Sequence, residues 1–404
     1  MSALRTIDAD VCVVGAGIVG VAHALEARER GLSVVVIDRA RRAVGASVRN
    51  FGHGCVAAMA DDSLECALDS RRRWIELGRR AGLEVILEGS VVVGRHDDEL
   101  AVLEAVAADQ RRGARVLTPT EVGSLAPIPI DGVRGGMHAA LDFRVDPRQA
   151  VARLTSLLEE DADTLVLWES SVHDVCAGVV ESARARVRAP IVLLCPGPDF
   201  ASLPLVSRGR DGLTLCKLQM LRVAAPAGRR YGPALLTGLS LLRYPAFTSA
   251  PDAARVRERF DAERPELIAA GIHLIITQLP GGDLILGDSH DYCPTVSPFR
   301  EERIDELLLA EASALLGAPQ LDVRERWLGV YPSAPGPPFL IHAPLPGVRL
   351  VEVVSGIGMT TALGLAIQVL DAAVSDLSEL PATREVAPPE APPRSAEAHA
   401  GCGS

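Results

Sequence analysis

The feature that most constrains this chain is a glycine-rich turn between a predicted strand and a predicted helix near the N-terminus. An apolar strand over 9–14 leads into Gly15, Gly17 and Gly20, and a helical stretch then continues to Arg30. In a dinucleotide-binding βαβ unit the first glycine permits a tight turn. The second lets the backbone approach a pyrophosphate, and the third lets helix and strand pack closely. The spacing therefore predicts a Rossmann-like nucleotide site.

The residues that follow the turn support the same prediction. Ile18 and Val19 open the helix, whose free N–H groups and positive dipole end favour an anion. A second strand over 32–37 finishes at Asp38, where a carboxylate accepts hydrogen bonds from ribose hydroxyls. Asp38 also disfavours NADP, because a 2′-phosphate would meet like charge, although Arg39 beside it weakens that argument.

Composition excludes several other classes of protein. The 404 residues carry 41 basic and 52 acidic side chains, a net charge of −11, and only 3% are aromatic, so no nucleic-acid partner is expected. Lys217 is the only lysine and does not follow a glycine in a Gly-Lys-Ser/Thr loop, which excludes a P-loop NTPase. The same scarcity makes a pyridoxal-phosphate enzyme a poor candidate.

Metal binding and localisation are predicted from missing patterns. The eight cysteines include no Cys-x-x-Cys pair, so we expect reduced thiols and no metal centre. The N-terminus lacks the pattern of a secretion signal, and the apolar run 11–25 is interrupted by glycines and a histidine and is too short to span a bilayer. We therefore expect a cytoplasmic protein with no membrane partner.

The rest of the chain favours FAD over NAD. A polar, glycine-bearing loop over 44–54 replaces the regular βα units of NAD-dependent enzymes. Strand-like runs return late, at 189–194 and 348–354, and the second leads into a glycine-rich turn over 355–361 and a helix. Between these pieces lie short β-like segments at 84–93, 132–141, 212–223 and 273–287. The predicted fold class is α/β with α+β inserts: a Rossmann-like FAD-binding domain with a parallel sheet, into which an antiparallel-sheet substrate domain is inserted discontinuously.

Taken together, these segments resemble the D-amino-acid-oxidase/glycine-oxidase/sarcosine-oxidase family of FAD enzymes over about residues 8–378. Five markers carry the resemblance: the N-terminal fingerprint, the loop 45–54, Asp142-Phe-Arg-Val-Asp-Pro147, Arg326-Trp-Leu-Gly-Val-Tyr-Pro332 and the turn 355–361. Within the family, the segments 46–52, 241–247 and 287–292 resemble a subgroup that is associated with phosphonate degradation and proposed to oxidise aminophosphonates.

The resemblance implies two interleaved domains. The expected FAD-binding domain comprises 1–85, 146–205 and 322–380, and the expected substrate domain comprises 86–145 and 206–321. Beyond these, the Pro-, Ala- and Glu-rich composition of 381–404 predicts a disordered tail.

The resemblance also implies which residues contact FAD. They lie on the glycine-rich turns and on the loops beside them: Gly15, Gly17, Ile18, Val19, Gly20, Asp38, Arg39, Ser47, Arg49, Asn50, Val172, Gly197, Gly329, Gly356, Gly358 and Met359. The branch that anchors FAD covalently uses a cysteine where this chain has Gly329, so we expect non-covalent FAD. That branch also uses a lysine over the flavin to activate oxygen. The matching strand 284–287 has none, which leaves O2 and another electron acceptor both open.

The predicted substrate site rests on a departure from the family pattern. In the glycine-oxidase branch an arginine in Trp-x-Gly-x-Arg-Pro clamps the substrate carboxylate, and here Tyr331 takes its place. Arg243 lies in an apolar stretch, where a desolvated charge needs either an anionic ligand or a structural carboxylate. Both alternatives stay open from sequence. Tyr244 and Tyr331 are candidates to add a hydroxyl to an anion site.

Histidines and other basic residues complete the candidates. His290 and His53 are each interpreted as a base, a phosphonate contact or a structural histidine. Thr360, in the final glycine-rich turn, is placed in the substrate site. Further basic candidates are Arg222, Arg300 and His273, whereas Asp142, Arg144 and Asp146 are interpreted as a structural turn.

The function implied by the resemblance is oxidation of the C–N bond of a small amine by hydride transfer to the flavin. The imine then hydrolyses to an aldehyde plus ammonia or methylamine. Tyr331 and Arg243 favour an anionic amine, namely an aminophosphonate such as 2-aminoethylphosphonate or its hydroxylated or N-methylated form. Two alternatives remain: an oxidase or dehydrogenase acting on amino acids or on secondary amines without an anionic group, and a flavoprotein subunit of an electron-transfer complex. The oligomeric state is not indicated.

Overall fold

The computed structural model of the protein describes residues 5–199 and 212–379. The predicted disordered tail over 381–404 lies outside the described residues. The α-helices are α1 (Ile18–Glu29), α2 (Asp61–Arg80), α3 (Asp97–Ala107), α4 (Pro119–Leu125), α5 (Pro147–Glu159), α6 (Pro245–Thr248), α7 (Ala253–Glu263), α8 (Pro265–Ala269), α9 (Glu302–Leu316) and α10 (Gly358–Glu379).

The strands of the first half are β1 (Arg5–Asp8), β2 (Val11–Val14), β3 (Val34–Ile37), β4 (His53–Gly54), β5 (Ser90–Gly94), β6 (Ala114–Leu117), β7 (Gly135–Ala139), β8 (Phe143–Arg144), β9 (Thr164–Leu167), β10 (Val172–Cys176), β11 (Val179–Ser182), β12 (Ala185–Arg188) and β13 (Ile191–Leu194). Those of the second half are β14 (Thr214–Val223), β15 (Ala234–Leu236), β16 (Ile275–Gln278), β17 (Leu284–Gly287), β18 (Asp291–Cys293), β19 (Val323–Ser333), β20 (Phe339–Leu345) and β21 (Val348–Val353). Short 3-10 helices occur at Ala46–Val48, Gln110–Arg112, Pro226–Gly228 and Gly238–Leu242.

The nucleotide side of the molecule is a six-stranded sheet in the order β20-β21-β13-β2-β3-β9. Its strands pair in parallel, apart from β20, which is antiparallel to β21. The strand β2 is buried on both faces. Val11 and Val13 belong to the large core that contains the helices, whereas Cys12 and Val14 face a second core shared with the sheet β1-β12-β11-β10. The central sheet therefore lies between a helical layer and a small second sheet.

The substrate side is a nine-stranded, mostly antiparallel sheet. Eight strands follow the order β18-β14-β17-β16-β15-β5-β7-β6, and β19 pairs with β14. Its strands come from both halves of the chain and alternate in sequence with those of the parallel sheet. The predicted fold class, an α/β nucleotide domain with a discontinuously inserted antiparallel domain, is confirmed.

One segment lies on a different side from the one expected. The range 322–380 was assigned to the FAD-binding domain, but Val323–Ser333 pairs along its length with Thr214–Val223 in the nine-stranded sheet. The physical reason is that strand pairing does not follow order along the chain. The late segment pairs with β14 because it covers a strand edge that would otherwise be exposed. The chain returns to the parallel sheet only with β20 and β21.

The last helix has the length and composition of a membrane span. Its window Gly358–Asp376 has a mean hydropathy of 1.3, but 61% of that window is buried inside the protein. It packs against α2 and α1. Its apolar surface is therefore used by the core.

Candidate active site

The glycine turn after β2 is formed as the sequence predicts. Gly15 has φ +104°, which favours glycine, and a side chain there would overlap the carbonyl of Cys195. A side chain at Gly20 would overlap the carbonyl of Gly15, so this glycine allows α1 to pack against the turn. Gly17 is the residue that precedes α1 and lines the cleft described below. The backbone is thus free to approach a ligand at the start of α1.

Polar side chains hold this turn in place. Asp38 accepts hydrogen bonds from the N–H of Ala16 (2.7 Å) and the N–H of Ala40 (2.8 Å) through its two carboxylate oxygens. Ser47 Oγ accepts one from the N–H of Ile18 (2.9 Å). A carboxylate has about four acceptor positions, so Asp38 keeps capacity for ribose hydroxyls while it also orders the turn.

Two adjoining cavities run from this turn along the sheet edge. The nucleotide end, about 1150 Å³, is lined by Asp38, Arg39, Val172 and Gly15, among others. The second cavity, about 1160 Å³, extends to the nine-stranded sheet. Both share Gly17, Ala46, Ser47, Cys195, Gly197 and Pro198 in their lining, so they form one elongated cleft.

The loop over 44–54 and the start of α10 form the middle of the cleft. Asn50 donates to the carbonyl of Ala46 and accepts from the N–H of Gly52, so it shapes its own loop. Thr360 Oγ1 accepts a hydrogen bond from the N–H of Cys55 (3.1 Å) and links this loop to α10. The residues of the late turn that line the cleft are Gly356, Ile357, Gly358, Met359 and Thr360. The N-terminal end of α10 therefore faces the cleft, where its dipole favours negative charge.

At the far end of the cleft, Arg243 is surrounded by neutral partners. Its guanidinium donates to Tyr331 Oη (2.7 Å), to Tyr292 Oη (3.1 Å) and to the carbonyl of Ser355 (3.3 Å). Among the described residues no carboxylate lies within 4 Å of it. The Asp288 carboxylate acts on it from beyond that distance. Burial by itself lowers the pKa of Arg243, but the three nearby tyrosines and Asp288 outweigh it and raise that pKa, so the group is a permanent cation.

Tyr331 occupies its place through strand register. It lies on β19 opposite Cys216 of β14, and burial raises the pKa of its phenol, so the hydroxyl is neutral. Since it accepts from Arg243, its own O–H is available as a donor, and the Cys216 thiol is already one hydrogen-bond partner of this hydroxyl. Gly356 permits this arrangement: it has φ +74°, and a Cβ there would lie 3.0 Å from Tyr331 Cζ and 3.2 Å from Arg243 Nη2. The glycine turn and the cation site therefore depend on each other.

Two buried residues at the ends of neighbouring strands lie near Arg243, one before β16 and one after β17. His273 and Asp288, 3% and 5% exposed, line the cleft, and His273 Nδ1 is 3.4 Å from Asp288 Oδ1. His290 Nε2 lies 3.9 Å from Asp288 Oδ2, and its Nδ1 hydrogen-bonds the carbonyl of Gly271 (3.0 Å). Burial lowers the pKa of His290 to about 3. His290 thus lies behind Asp288 rather than on the cleft.

A second histidine and carboxylate pair joins the loop over 44–54 to the turn between β7 and β8. His53 lines the cleft, and its Nε2 is 3.5 Å from Asp142 Oδ2. Asp142 also accepts hydrogen bonds from the N–H of Ala57 (2.9 Å) and from Ser90 Oγ (2.5 Å). Asp142, interpreted from sequence as part of a structural turn, does order this loop and contacts His53 as well. Asp146 caps α5 by accepting from the N–H of Arg148.

The structure brings nearly all the predicted residues to one cleft. Every predicted FAD contact lines it except Gly20, which packs inside the turn. The predicted substrate residues lining it are Arg243, Tyr244, Tyr331, His53 and Thr360. Two further basic candidates are engaged elsewhere: Arg222 pairs with Asp283 and Glu325, and Arg300 pairs with Asp305. The residue that sequence reasoning missed is Asp288, although its position directly after a buried strand was a usable signal.

Lys217, the only lysine in the sequence, does not lie where it could activate oxygen in the cleft. Lys217 is buried on β14 and pairs with Asp291 (3.1 Å). Its strand neighbours Cys216 and Leu218 point to the side of Tyr331 and Gly329, so Lys217 points to the opposite face. The described lining of the cleft contains no lysine.

These features define a class of protein: a dinucleotide-cofactor protein whose cofactor cleft continues into a buried, charged compartment suited to a small substrate. The family model described as FAD dependent oxidoreductase, DAO, matches residues 10–372. The chain therefore belongs to the DAO family of FAD-dependent oxidoreductases, and FAD is its cofactor. No curated protein sequence matches it.

Solved structures share the fold at low sequence identity. L-proline dehydrogenase from P. horikoshii is 17% identical, with a TM-score of 0.76 over 92% of this chain and 94% of that chain. Glycine oxidase from Geobacillus kaustophilus is 18% identical, with a TM-score of 0.72 over 91% and 95%. Iminodiacetate oxidase from Chelativorans sp. BNC1 is 15% identical, with a TM-score of 0.69 over 92% and 97%.

The residues present fit FAD. The adenosine diphosphate part of FAD is suited by three features of the nucleotide end. These are the glycine turn, where a side chain at Gly15 or Gly20 would overlap the backbone, the N-terminus of α1, and the Asp38 carboxylate. The loop over 46–55 and the start of α10 would hold the isoalloxazine in the middle of the cleft.

Proposed function

We propose that the protein oxidises the C–N bond of a small amine carrying an anionic group, most specifically an aminophosphonate. The observation that carries this proposal is Arg243, a half-buried cation whose hydrogen-bond partners are two tyrosine hydroxyls and a carbonyl. A desolvated guanidinium with neutral partners favours binding of an anion. The alternative from sequence, a structural carboxylate paired with Arg243, is less well supported: the Asp288 carboxylate acts on Arg243, but from beyond the distance of an ion pair.

The shape of the cation site supports a phosphonate over a carboxylate. Arg243 presents a planar fork, and the hydroxyls of Tyr331 and Tyr292 lie on its two terminal nitrogens. A guanidinium flanked by two hydroxyls offers several donors, which suit the three oxygens of a tetrahedral anion better than the two of a planar one. Arg243 also explains how the site tolerates the replacement of the family arginine by Tyr331, because it brings a guanidinium beside that tyrosine from another segment.

The proposed mechanism assigns a role to each part of the cleft. Arg243 and Tyr331 would bind the anionic group and so orient the carbon next to nitrogen toward the ring system. Bound FAD supplies the hydride acceptor. The N-terminal end of α10 would stabilise negative charge on the ring. Water then hydrolyses the released imine to an aldehyde and ammonia or methylamine.

The test is anaerobic reduction of the purified holoenzyme. Each candidate amine is added without oxygen, and the loss of oxidised flavin absorbance is followed: 2-aminoethylphosphonate, its 1-hydroxy and N-methyl forms, glycine, sarcosine and proline. We expect at least one aminophosphonate to bleach the flavin faster than the amino acids. Bleaching by glycine, sarcosine or proline alone would refute the phosphonate assignment but leave amine oxidation standing.

We also propose that FAD is held without a covalent bond. Gly329 lines the cleft where a covalent branch has cysteine, and a Cβ there would lie 3.3 Å from Leu218 Cδ1 and 3.5 Å from the carbonyl of Arg49. We expect acid precipitation to leave all the yellow colour in the supernatant. Flavin that remains with the pellet would contradict this, and it would direct attention to Cys55 or Cys195, both of which line the cleft.

A further inference from the structure

The cleft contains a histidine whose one free nitrogen has no role in the fold. Backbone hydrogen bonds tie His273 and Asp288 together in both directions, from the N–H of each to the carbonyl of the other, at 2.8 and 2.7 Å. This fixes Asp288 beside His273 Nδ1, at 3.4 Å. His273 Nε2, on the other side of the ring, is buried and has no hydrogen-bond partner among the described residues.

Oxidation of an amine in the cleft requires a group that accepts the proton of its ammonium form. Small amines are protonated at neutral pH because their pKa values resemble that of lysine, about 10.4. A protonated nitrogen has no lone pair to stabilise the carbon that loses hydride, so the ammonium proton must leave first. In a cleft covered by cofactor and substrate, solvent is a poor acceptor for it.

We infer that His273, oriented by Asp288, accepts the proton of the substrate ammonium. In this step the N–H bond of the ammonium breaks, its electron pair stays on the amine nitrogen, and an N–H bond forms at Nε2 of His273. Asp288 acts as a positioning residue, since it directs Nδ1 and stabilises the imidazolium that results. The inference rests on the amine oxidation proposed above but not on the phosphonate assignment.

The groups around His273 keep it ready to accept a proton. Burial lowers the pKa of His273, Asp288 opposes this, and the positive charge of Arg243 and the neighbouring His53 lower it further. The ring of Tyr244 packs edge-on at 5.2 Å, and its phenol is neutral because burial raises its pKa. With a folded pKa below that of free histidine, His273 is unprotonated above about pH 6.5. Arg243 also disfavours a second positive charge in the cleft.

His53 is the other candidate for the proton acceptor. The surroundings of its carboxylate partner, Asp142, distinguish it from His273. Asp142 already accepts hydrogen bonds from Ala57 and Ser90, which spread its charge over other donors. The Asp288 carboxylate contacts only the two histidines, His273 and His290, and accepts no backbone or hydroxyl hydrogen bond among the described residues. Asp288 therefore offers more stabilisation to an imidazolium than Asp142 does.

The experiment compares four variants of the holoenzyme: His273→Gln, His53→Gln, Asp288→Asn, and the control His173→Gln on the exposed strand β10. The rate of anaerobic flavin reduction is measured between about pH 4.5 and about pH 9.5 with whichever amine bleaches the wild-type protein. Wild type is expected to lose rate only at the acidic end, where His273 is protonated, and to be nearly independent of pH above about pH 7. His273→Gln is expected to be about 100-fold slower near pH 7 and to recover about tenfold per pH unit, because only free amine then reacts.

Asp288→Asn tests the positioning role. Without the carboxylate the pKa of His273 falls further, so the acidic limb of the rate profile should move to lower pH while the plateau rate drops. A purely structural role would lower the plateau without moving the limb. Bound FAD and the melting temperature are measured for every variant.

A second readout does not depend on turnover. An amine with no hydrogen on the carbon next to nitrogen, such as 2-amino-2-methylpropylphosphonate, binds without reacting. Calorimetry in buffers of different ionisation enthalpy then counts the protons released on binding at about pH 7.5. The bound anionic group neutralises Arg243 and so raises the pKa of His273 in the complex, where the imidazole can then hold the proton. Wild type should therefore release none, whereas His273→Gln, which binds the free amine, should release about one.

The outcomes separate the two proposals. If no amine reduces the wild-type flavin, the proposed function fails and this inference fails with it. If an amine does reduce it and His273→Gln keeps the wild-type pH profile and proton count, only the inference is overturned. Recovery at high pH in His53→Gln instead of His273→Gln would also overturn it, as would a stoichiometric metal ion bound at His273 in the purified protein.

Discussion

The two ends of the cleft are built from different material. The nucleotide end is made of backbone: three glycines within one turn, a helix N-terminus and a carboxylate that hydrogen-bonds the turn itself. The substrate end is made of side chains, and Arg243, Tyr331, His273, Asp288 and His53 come from five separate segments. Backbone recognises any pyrophosphate in the same way, whereas side chains can be exchanged one at a time. The common cofactor is therefore specified locally, and the substrate is specified by tertiary structure.

The largest effect on FAD binding and stability is expected from a substitution at the nucleotide end, where a new side chain would overlap the backbone. Gly20→Ala places a methyl group against the carbonyl of Gly15, with Val13 Cγ1 only 3.1 Å away, in the packed contact between turn and helix. We expect loss of FAD binding and destabilisation of about 2 kcal/mol or more, because neither the backbone nor the buried strand can move aside. Flavin absorbance of the purified protein and its thermal melting measure the two effects.

The matched control is Gly281→Ala. Gly281 has open space around the position of a Cβ and lies in a loop outside the lining of the cleft. This variant should keep full FAD content and melt like wild type. Retention of FAD by Gly20→Ala would show that the turn adapts, and the contrast between a backbone end and a side-chain end would then weaken.

The sequence predicts the nucleotide end of the cleft better than the substrate end, because one is built from local backbone and the other from distant side chains. The spacing of Gly15, Gly17 and Gly20 encodes local geometry, so the nucleotide site could be read directly. Asp288 could be noticed from its position after a buried strand but not given a role, because its role depends on His273, which lies just before the neighbouring strand β16 and is brought beside it only by the sheet. The placement of 323–333 failed for the same reason, since strand pairing is a long-range choice. His290 was singled out in place of Asp288 because sequence gives residue type but not depth.

At the substrate end, the prediction with the largest effect is for Arg243→Gln. Loss of the guanidinium should lower kcat/KM for an anionic amine by about 100-fold, mostly through KM, since a charge-assisted contact in a desolvated site is removed. An amine without an anionic group should be affected by less than about threefold. Arg243→Lys should recover only part of the loss, because an ammonium cannot reproduce the fork. Steady-state kinetics with both kinds of amine check this, and equal losses on both would mean that Arg243 supports the fold rather than an anion.

The smallest effect separates two tyrosines that bind the same guanidinium. Tyr331 is buried, and its hydroxyl lies 2.7 Å from Arg243, whereas Tyr292 is 50% exposed and its hydroxyl lies 3.1 Å away. Tyr331→Phe leaves a buried donor without its acceptor, so we expect KM for the anionic amine to rise about tenfold, in line with about 1.4 kcal/mol for one such hydrogen bond. Water can replace the exposed hydroxyl, so Tyr292→Phe should change KM by less than about threefold. A larger effect from Tyr292→Phe would place the anion on the outer side of Arg243, and the substrate would then enter between Tyr292 and the guanidinium rather than lie against Tyr331.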